Sequence, residues 1–275
     1  MTVAPSLQPD QNPQAWNDHV GVYEAAFEPL TNVFAAAALD RLAPLAGQRL
    51  IDIGAGTGGA ALEAARRGAQ VTAIDAAAGM VARIAERAAQ AGLGHLAAAQ
   101  MDASALACAD ASFDFALSVF GIVLLPDAAQ GMAQMRRVLK RGGRAAIVTW
   151  TQPQRYELAT RLSGAMVSVR GAGPAVGALP AQLRYADPAV FRALVADAGF
   201  AVAAIDIIEA SLVAPSAAWL GDRLGFAPGL AAMMAALGGD RAVVVAEFVG
   251  KLQADQGMGP VALAAVAHVA LARAC

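Results

Sequence analysis

The sequence contains only two cysteines, Cys108 and Cys275, and it has no excess of positive charge. Two cysteines are too few for a disulfide framework or a cysteine-based zinc site, and we predict no metal site. Lysine and arginine together number 20 and aspartate and glutamate 22, which gives a formal net charge of −2. Because a nucleic-acid-binding surface needs clustered positive charge to meet the phosphates, we expect no nucleic-acid partner.

A long uninterrupted hydrophobic run is also missing. The longest uncharged stretches, residues 224–239 and 256–272, contain glycine and proline and are too short for a membrane-spanning helix. Residues 1–18 lack the charged start and the apolar stretch of a signal peptide. We therefore expect a cytoplasmic protein that does not insert into a membrane.

The composition that is present suits one large domain. A hydrophobic fraction of 57%, much of it alanine, is sufficient for a large core, and 275 residues allow one α/β domain with an inserted lid. We predict that residues 1–13, which are polar and rich in proline, are disordered, and that residues 14–275 form a single domain. Apolar residues at helical spacing predict N-terminal helices within residues 14–46.

Short apolar runs alternate with helical patterns through the predicted core, residues 47–152. This alternation indicates βαβ units, which predicts a Rossmann-like α/β fold with a mostly parallel sheet and helices on both faces. Residues 213–256 are predicted to be helical, and they form a candidate lid before the last strand. The predicted strands are 49–53, 70–74, 96–100, 113–119, 144–150, 200–212 and 260–273.

The segment Leu50-Ile-Asp-Ile-Gly-Ala-Gly-Thr-Gly-Gly59 connects the first predicted strand to the helix that follows it. Glycines at such a turn let the backbone pass close to a ligand, and the free N–H groups of the helix face the same place. Asp75, at the end of the second strand, can accept hydrogen bonds from both hydroxyls of a ribose. Gly54, Gly56 and Gly59 also fit the G-x-G-x-x-G motif of dinucleotide-binding proteins, so an NAD(P)-dependent oxidoreductase stays open as an alternative.

Two acidic residues and one later element favour a different nucleotide. Asp52 lies inside the apolar first strand, where its carboxylate can hold an ammonium group but would repel the pyrophosphate of a dinucleotide. Asp102 follows the third strand, where a carboxylate can accept a hydrogen bond from the amino group of adenine. The oxidoreductase alternative does not explain residues 137–143, and it lacks a Tyr-x-x-x-Lys pair because Thr160 follows Tyr156 by four residues.

These features together resemble the class I S-adenosylmethionine-dependent methyltransferases, in the small-molecule branch related to ubiquinone and menaquinone C-methyltransferases. The family motif D-x-G-x-G-x-G falls on residues 52–58, and the R-V-L-K-P-G-G element falls on residues 137–143. Ala55 replaces a common cysteine and Arg141 replaces the proline, but neither change removes a ligand-binding group. The resemblance implies S-adenosylmethionine as the cofactor and a seven-stranded sheet whose last strand is antiparallel.

The motifs and the resemblance together assign the cofactor-binding residues. The resemblance makes Asp75 the ribose-binding acid and Asp102 the adenine-binding acid, and it makes Met80 the residue that packs on adenine. Tyr23 or Thr31 is predicted near the carboxylate of the cofactor, because the N-terminal helix must close over the loop end of the sheet. The predicted set is Tyr23, Thr31, Asp52, Gly54, Ala55, Gly56, Gly58, Asp75, Ala76, Met80, Met101, Asp102, Ala103 and Ser118.

The N-terminal helix and the lid supply the candidates for catalysis and substrate binding. His19 is the candidate catalytic base, with Trp16 and Tyr23 on the same helix face, although a plain cofactor contact or a helix-face residue stays open. The apolar, methionine-containing lid can adapt to an irregular substrate. Packing against the sheet, or a homodimer surface, is the alternative role of the lid. The predicted substrate-binding residues are Trp16, Phe27, Phe120 and Trp219.

We therefore expect an enzyme that transfers a methyl group from S-adenosylmethionine to oxygen, carbon or nitrogen of a small, largely apolar metabolite. The sulfonium already makes the methyl group electrophilic, so alignment of the acceptor and exclusion of water carry most of the catalysis. Two alternatives stay open. One is the NAD(P)-dependent oxidoreductase, and the other is a methyltransferase-like protein that uses bound S-adenosylmethionine without methyl transfer, in an isomerisation or cyclisation.

Overall fold

One seven-stranded sheet runs through the part of the chain that the computed structural model describes, residues 7–173 and 179–275. The strands are β1 (Arg49–Ile53), β2 (Gln70–Asp75), β3 (Leu96–Gln100), β4 (Phe113–Val119), β5 (Leu139–Trp150), β6 (Phe200–Ala214) and β7 (Val261–Ala274). Their order across the sheet is β3-β2-β1-β4-β5-β7-β6. Strands β1 to β5 run parallel, and β7 runs antiparallel to both β5 and β6. The predicted Rossmann-like fold with an antiparallel last strand is confirmed.

Helices cover both faces of this sheet. They are α1 (Pro13–Asn17), α2 (Val20–Ala26), α3 (Glu28–Leu42), α4 (Gly59–Arg66), α5 (Ala78–Gln90), α6 (Ala128–Val138), α7 (Glu157–Arg170), α8 (Pro188–Asp197), α9 (Ala217–Gly221), α10 (Pro228–Ala236) and α11 (Arg241–Gln256). One apolar cluster buries residues of α3, α4, α7 and α11 against the sheet, and a second buries residues of α6 and α8. Helices α1 to α3 therefore precede the sheet, and α9 to α11 lie between its last two strands.

The lid helices α9 to α11 each contribute buried residues to this core. Val244, Phe248 and Leu252 are buried on α11, which packs along α7. Within residues 7–173 and 179–275, no single helix is long and apolar enough to span a membrane. Helix α10 and the segment Gly238–Gln256 are together long and apolar enough to span a membrane, but a bend of 104° separates them.

Alternation along β1 places an acidic side chain in the core. Successive side chains of a strand point to opposite faces, so Leu50 joins one apolar cluster and Ile51 and Ile53 join the other. Asp52 shares the face of Leu50, which α2 and α3 cover. Its side chain is consequently only 1% exposed.

The loop that follows β1 depends on two glycines. Gly54 and Gly56 have φ angles of 71° and 57°, in the left-handed region that side chains disfavour. A Cβ atom at Gly54 would lie 2.8 Å from the Cα atom of Gly121, just after β4. The two strand ends therefore meet backbone to backbone, and this close approach is possible only without side chains.

A buried ion pair joins the N-terminal helices to the glycine loop. Glu28, at the start of α3, accepts hydrogen bonds from the Thr57 hydroxyl at 2.5 Å and the Gly59 N–H at 3.0 Å. Arg87 of α5 donates through Nη1 to both carboxylate oxygens of Glu28, at 2.7 and 2.9 Å, and to the Thr57 carbonyl at 2.8 Å. Glu28 also places a negative charge at the N-terminus of α4, where the helix dipole favours it.

The chain before α1 is fixed by contacts to distant parts of the molecule. The Gln8 side chain donates to the Leu179 carbonyl at 3.1 Å and accepts from the Ala181 N–H at 2.8 Å. Asp10 accepts a hydrogen bond through Oδ1 from the Gly229 N–H of α10, at 2.7 Å. This segment therefore ties the lid to the loop that precedes α8.

These contacts correct one expectation. The prediction of disorder over residues 1–13 is wrong for residues 7–13, which include a 3₁₀ helix at Pro9–Gln11 and the start of α1. Residues 1–6 lie outside the described part of the chain. The physical reason is that long-range polar contacts order this segment, whereas a polar, proline-rich composition reports only its weak local preferences.

We expect Glu28→Ala to destabilise the protein much more than Glu24→Ala. Both glutamates pair with arginines of α5, but Glu28 is 5% exposed and its loss leaves Arg87 without its main partner, whereas Glu24 lies nearer the surface. Urea unfolding should show a loss of about 3 kcal/mol for Glu28→Ala and less than about 1 kcal/mol for Glu24→Ala. Equal losses would contradict the central role given to Glu28.

Candidate active site

A cavity of about 800 Å³ lies at the carboxyl ends of the parallel strands. In open α/β sheets this edge, at the point where the strand order reverses, is where ligands bind. The reversal falls here between β1 and β4, beside the glycine loop. The predicted residues that line the cavity are Trp16, Tyr23, Phe27, Thr31, Gly54, Gly56, Asp75, Ala76, Met80, Met101, Ala103 and Phe120. The structure thus brings most of the predicted site together around one space.

Asp75 closes the end of β2 against the glycine loop. Its Oδ2 accepts a hydrogen bond from the Gly56 N–H and its Oδ1 from the Ala77 N–H, both at 2.9 Å. Burial raises the pKa of Asp75, and these backbone N–H groups oppose that rise. Each carboxylate oxygen retains acceptor capacity, so the side chain can still receive two hydroxyl donors from the cavity.

Asp52 is a buried acid that lacks a partner. Its Oδ2 is fully buried and makes no hydrogen bond to any residue in the described ranges 7–173 and 179–275. Burial, and then the charge of Asp75, raise the pKa of Asp52 to about 7. A buried carboxylate is costly unless it is protonated or paired with a cation. The site is therefore prepared for a positively charged group next to the glycine loop, as the ammonium of a methionine moiety would be.

Three predicted cofactor residues are engaged elsewhere. The Ser118 hydroxyl donates to the Ile53 carbonyl at 2.8 Å and accepts from the Ile122 N–H at 2.9 Å, so it braces the ends of β1 and β4. A Cβ atom on Gly58 would lie 2.9 Å from Ile84, so this glycine permits packing of the loop on α5. Ala55 lines a small pocket rather than the main cavity, and Asp52 lines the same small pocket.

Asp102 lies outside the lining of the cavity, although its neighbours Met101 and Ala103 belong to it. The Asp102 side chain is exposed and accepts through Oδ1 from both the N–H and the hydroxyl of Ser104, at 2.8 Å each. Its role toward adenine stays a prediction from the family resemblance.

His19 and Trp219 also lie away from the cavity. The prediction for His19 assumed that it shares one continuous helix with Trp16 and Tyr23. Helix α1 ends at Asn17 and α2 begins at Val20, so His19 lies in the break between them and does not share their face. The Nδ1 atom of His19 lies 2.7 Å from the Ala15 carbonyl oxygen. The geometry therefore gives His19 no access to a substrate as a base.

The ring of Trp219 packs beneath the guanidinium of Arg223 on α9, 4.2 Å from the ring centroid to Cζ. The Trp219 side chain also packs, partly buried, against the neighbouring apolar core. A predicted substrate contact at Trp219 is consequently not supported by its position. Other lid residues, among them Leu230 and Met233 of α10, face the cavity instead.

The aromatic wall of the cavity was largely missed by sequence reasoning. Trp150, at the carboxyl end of β5, stacks between Phe120, at a centroid distance of 4.1 Å, and Tyr156, at 5.0 Å. Phe120 has a φ of 60°, an unusual conformation for a non-glycine residue that places its ring on this wall. Burial raises the pKa of Tyr156. The position of Trp150 at the carboxyl end of a parallel strand was the signal that could have identified it.

Comparison with known proteins identifies the domain around this site. Residues 50–143 match the family described as methyltransferase domain. Aklanonic acid methyltransferase from a Streptomyces species is 34% identical over 109 residues, which cover 38% of this chain and 50% of that protein. Demethylmenaquinone methyltransferase from Beutenbergia cavernae is 35% identical over 117 residues, covering 42% of this chain and 47% of the relative. The chain spans about half the length of the curated relatives it matches.

A solved structure extends the likeness in fold over nearly the whole chain. The [4+2]-cyclase SpnF superposes with a TM-score of 0.60 at 20% sequence identity, covering 98% of this chain and 97% of its own. Residues 50–143 are therefore a methyltransferase domain, and the fold around them is the one such domains adopt. Over this part of the chain the protein is similar to methyltransferases that include a quinone methyltransferase, in line with the resemblance seen in the sequence.

Asp52 should make the stability of the ligand-free protein depend on pH. Its folded pKa of about 7 lies above the ordinary value near 4, so the folded state holds a proton that the unfolded state loses between these values. Stability should therefore fall as pH rises from about 4 through 7, by at most about 4 kcal/mol from this group. Asp52→Asn should remove that fall and raise the melting temperature at pH 8.

Thermal unfolding at closely spaced pH values measures this effect. Asp197→Asn, at an exposed position on α8, is the matched control and should leave the wild-type pH dependence in place. An Asp52→Asn curve parallel to the wild-type curve would show that Asp52 is ionised or partnered in the ligand-free protein.

Proposed function

We propose that the protein transfers a methyl group from S-adenosylmethionine to a small, largely apolar acceptor. The observation that carries this proposal is a pair of acids at the glycine loop. Asp52 is buried and lines a small pocket beside the loop, and Asp75 lines the main cavity, which has an apolar continuation. A ligand that carries both an ammonium group and a ribose can bind both acids, the ammonium at Asp52 and the ribose hydroxyls at Asp75.

The fit can be assigned residue by residue. Asp52 would hold the ammonium group, because it is buried and lacks a hydrogen-bond partner within the described residues. Asp75 would accept the ribose hydroxyls, and Met80 and Met101 would provide apolar contact for the adenine. When bound, S-adenosylmethionine supplies a methyl group made electrophilic by the sulfonium.

The remaining work of the chain is to orient the acceptor and exclude water. The stacked rings of Phe120, Trp150 and Tyr156 give one wall a rigid apolar surface. The hydrogen bond between Asp10 and Gly229 closes the N-terminal segment over the lid side of the cavity. An acceptor enclosed in this way is held next to the cofactor in a site that water enters poorly.

The protic groups on the cavity wall suit orientation better than proton removal. Burial raises the pKa of both Tyr23 and Tyr156, so each phenol stays neutral and can donate a hydrogen bond. Asp10 lines the cavity as well, and burial also raises its pKa. No histidine belongs to the lining formed by residues of the two described ranges. An acceptor with an acidic hydroxyl or an activated carbon would therefore need little help from a base.

The names of the relatives support an acceptor with extensive apolar surface. Aklanonic acid methyltransferase and demethylmenaquinone methyltransferase share about a third of their residues with this chain over the matched segment. The oxidoreductase alternative would place the pyrophosphate of its cofactor near the acidic side chains of Asp52 and Asp75, which is unfavourable. Release of S-adenosylhomocysteine separates methyl transfer from use of the cofactor without transfer.

Calorimetric titration tests the cofactor assignment. S-adenosylmethionine and S-adenosylhomocysteine should bind, and NAD⁺ and NADP⁺ should not. Asp75→Ala removes two charge-assisted hydrogen bonds to the ribose and should weaken binding by about 100-fold. Asp197→Ala, on the exposed side of α8, is the matched control. Binding of a dinucleotide, or an unchanged affinity in Asp75→Ala, would overturn the assignment.

The aromatic wall provides the test of transfer. Trp150 lines the cavity and Trp219 does not, so Trp150→Leu and Trp219→Leu form a matched pair. With aklanonic acid and demethylmenaquinone as trial acceptors, S-adenosylhomocysteine release should fall about tenfold in Trp150→Leu and stay near the wild-type value in Trp219→Leu. The reverse order would move the acceptor site to the outer side of the lid.

A further inference from the structure

Helices α7 and α10 bound the part of the cavity that extends away from the glycine loop. Both begin at the aromatic wall. Tyr156, immediately before α7, stacks on Trp150, and Phe226, just before α10, stacks on Phe27 at a centroid distance of 4.5 Å. The methyl-transfer end of the cavity therefore coincides with the first turns of the two helices.

The two helices present apolar stripes to the cavity along their length. On α7 the lining residues Ala159, Ser163 and Met166 follow helical spacing, and the stripe ends at Arg170. From Ala159 to Arg170 this stripe is about 16 Å long at the normal helical rise. On α10 the residues that face the cavity are Leu230, Met233 and Ala236, and Leu237 directly follows the helix. A ligand that fills this space is long and apolar.

Charge is distributed unevenly between the two ends of the cavity. Asp75 lies at the glycine loop and Asp10 at the first turn of α10, so both lining carboxylates belong to the near end. Arg170 is the one lysine or arginine in the lining contributed by residues 7–173 and 179–275, and it lies at the far end. An anionic group would be repelled at the near end and attracted at the far end.

Arg170 is available for such a group. Its Nε lies 3.2 Å from Oδ2 of Asp240, which follows α10, and its side chain is 41% exposed. This single ion pair joins the far ends of α7 and α10. The Nη atoms make no hydrogen bond to the rest of the described chain, so they remain free to bind a carboxylate in the two-pronged geometry of guanidinium groups.

We propose that the acceptor is an elongated apolar molecule with a carboxylate at its far end, bound by Arg170, while its other end meets the aromatic wall. This inference rests on the proposed function, because the near end is the methyl-transfer end only if S-adenosylmethionine occupies the glycine loop. Arg170 is then a specificity-determining residue and takes no part in the reaction itself.

Binding of simple amphiphiles tests the proposal without knowledge of the true acceptor. Hexanoate, decanoate and 1-decanol are titrated calorimetrically into the wild-type protein, Arg170→Gln and Met166→Trp, each with and without saturating S-adenosylhomocysteine. Decanoate should bind more tightly than hexanoate, by about fourfold for each added methylene that is buried. It should also bind about fivefold more tightly than 1-decanol, which is the scale of a partly exposed ion pair.

The variants separate the two parts of the proposal. Arg170→Gln should abolish the preference for decanoate over 1-decanol. Met166→Trp should weaken the binding of both amphiphiles, because the larger side chain fills this part of the cavity. Unchanged S-adenosylhomocysteine affinity in both variants would show that they fold. This inference would be overturned, and the proposed function left intact, by either of two results. One is the absence of decanoate binding, and the other is a preference for decanoate over 1-decanol in Arg170→Gln that equals the wild-type preference. Absence of S-adenosylhomocysteine binding would instead overturn the proposed function.

Discussion

The buried ion pair between Glu28 and Arg87 holds the site together. It joins α3, which lies before the sheet in sequence, to the glycine loop and to α5, which lie after β1 and β2. A buried pair of this kind is costly to break because each partner leaves an uncompensated charge. Through it, the N-terminal helices become a fixed wall of the cavity, and Tyr23 and Thr31 are held over Asp52.

Around that pair the protein keeps an unfavourable group in place. Asp52 is buried without a hydrogen-bond partner in the described chain, and no contact in the core compensates for it. Local strain and uncompensated polar groups collect where a ligand completes the structure. In the proposed function, the unfavourable burial of Asp52 is compensated when the ammonium group of the cofactor binds beside it. In the proposed function, the apolar continuation of the cavity, from Trp150 to Arg170, selects the acceptor.

Most of the fold and the residues that surround the glycine loop could be predicted from the sequence. Period-two and helical patterns identify β1 to β5, and the glycine loop with Asp52 and Asp75 follows from strand ends and turn chemistry. What could not be predicted depends on contacts between distant residues. The ordering of Asp10 by Gly229 is one case, and the turning away of His19 by a break between α1 and α2 is another. No local pattern encodes either feature.

A crystal structure of the protein with S-adenosylhomocysteine would show whether Asp52 and Asp75 bind the ligand. We expect the amino group of the ligand beside Asp52, the ribose hydroxyls on Asp75, and the sulfur facing the wall formed by Phe120 and Trp150. The N-terminal segment should remain closed over the ligand through Asp10. A ligand bound away from the glycine loop, or a bound state in which Asp52 still lacks a partner, would show that the two acids do not form the cofactor site.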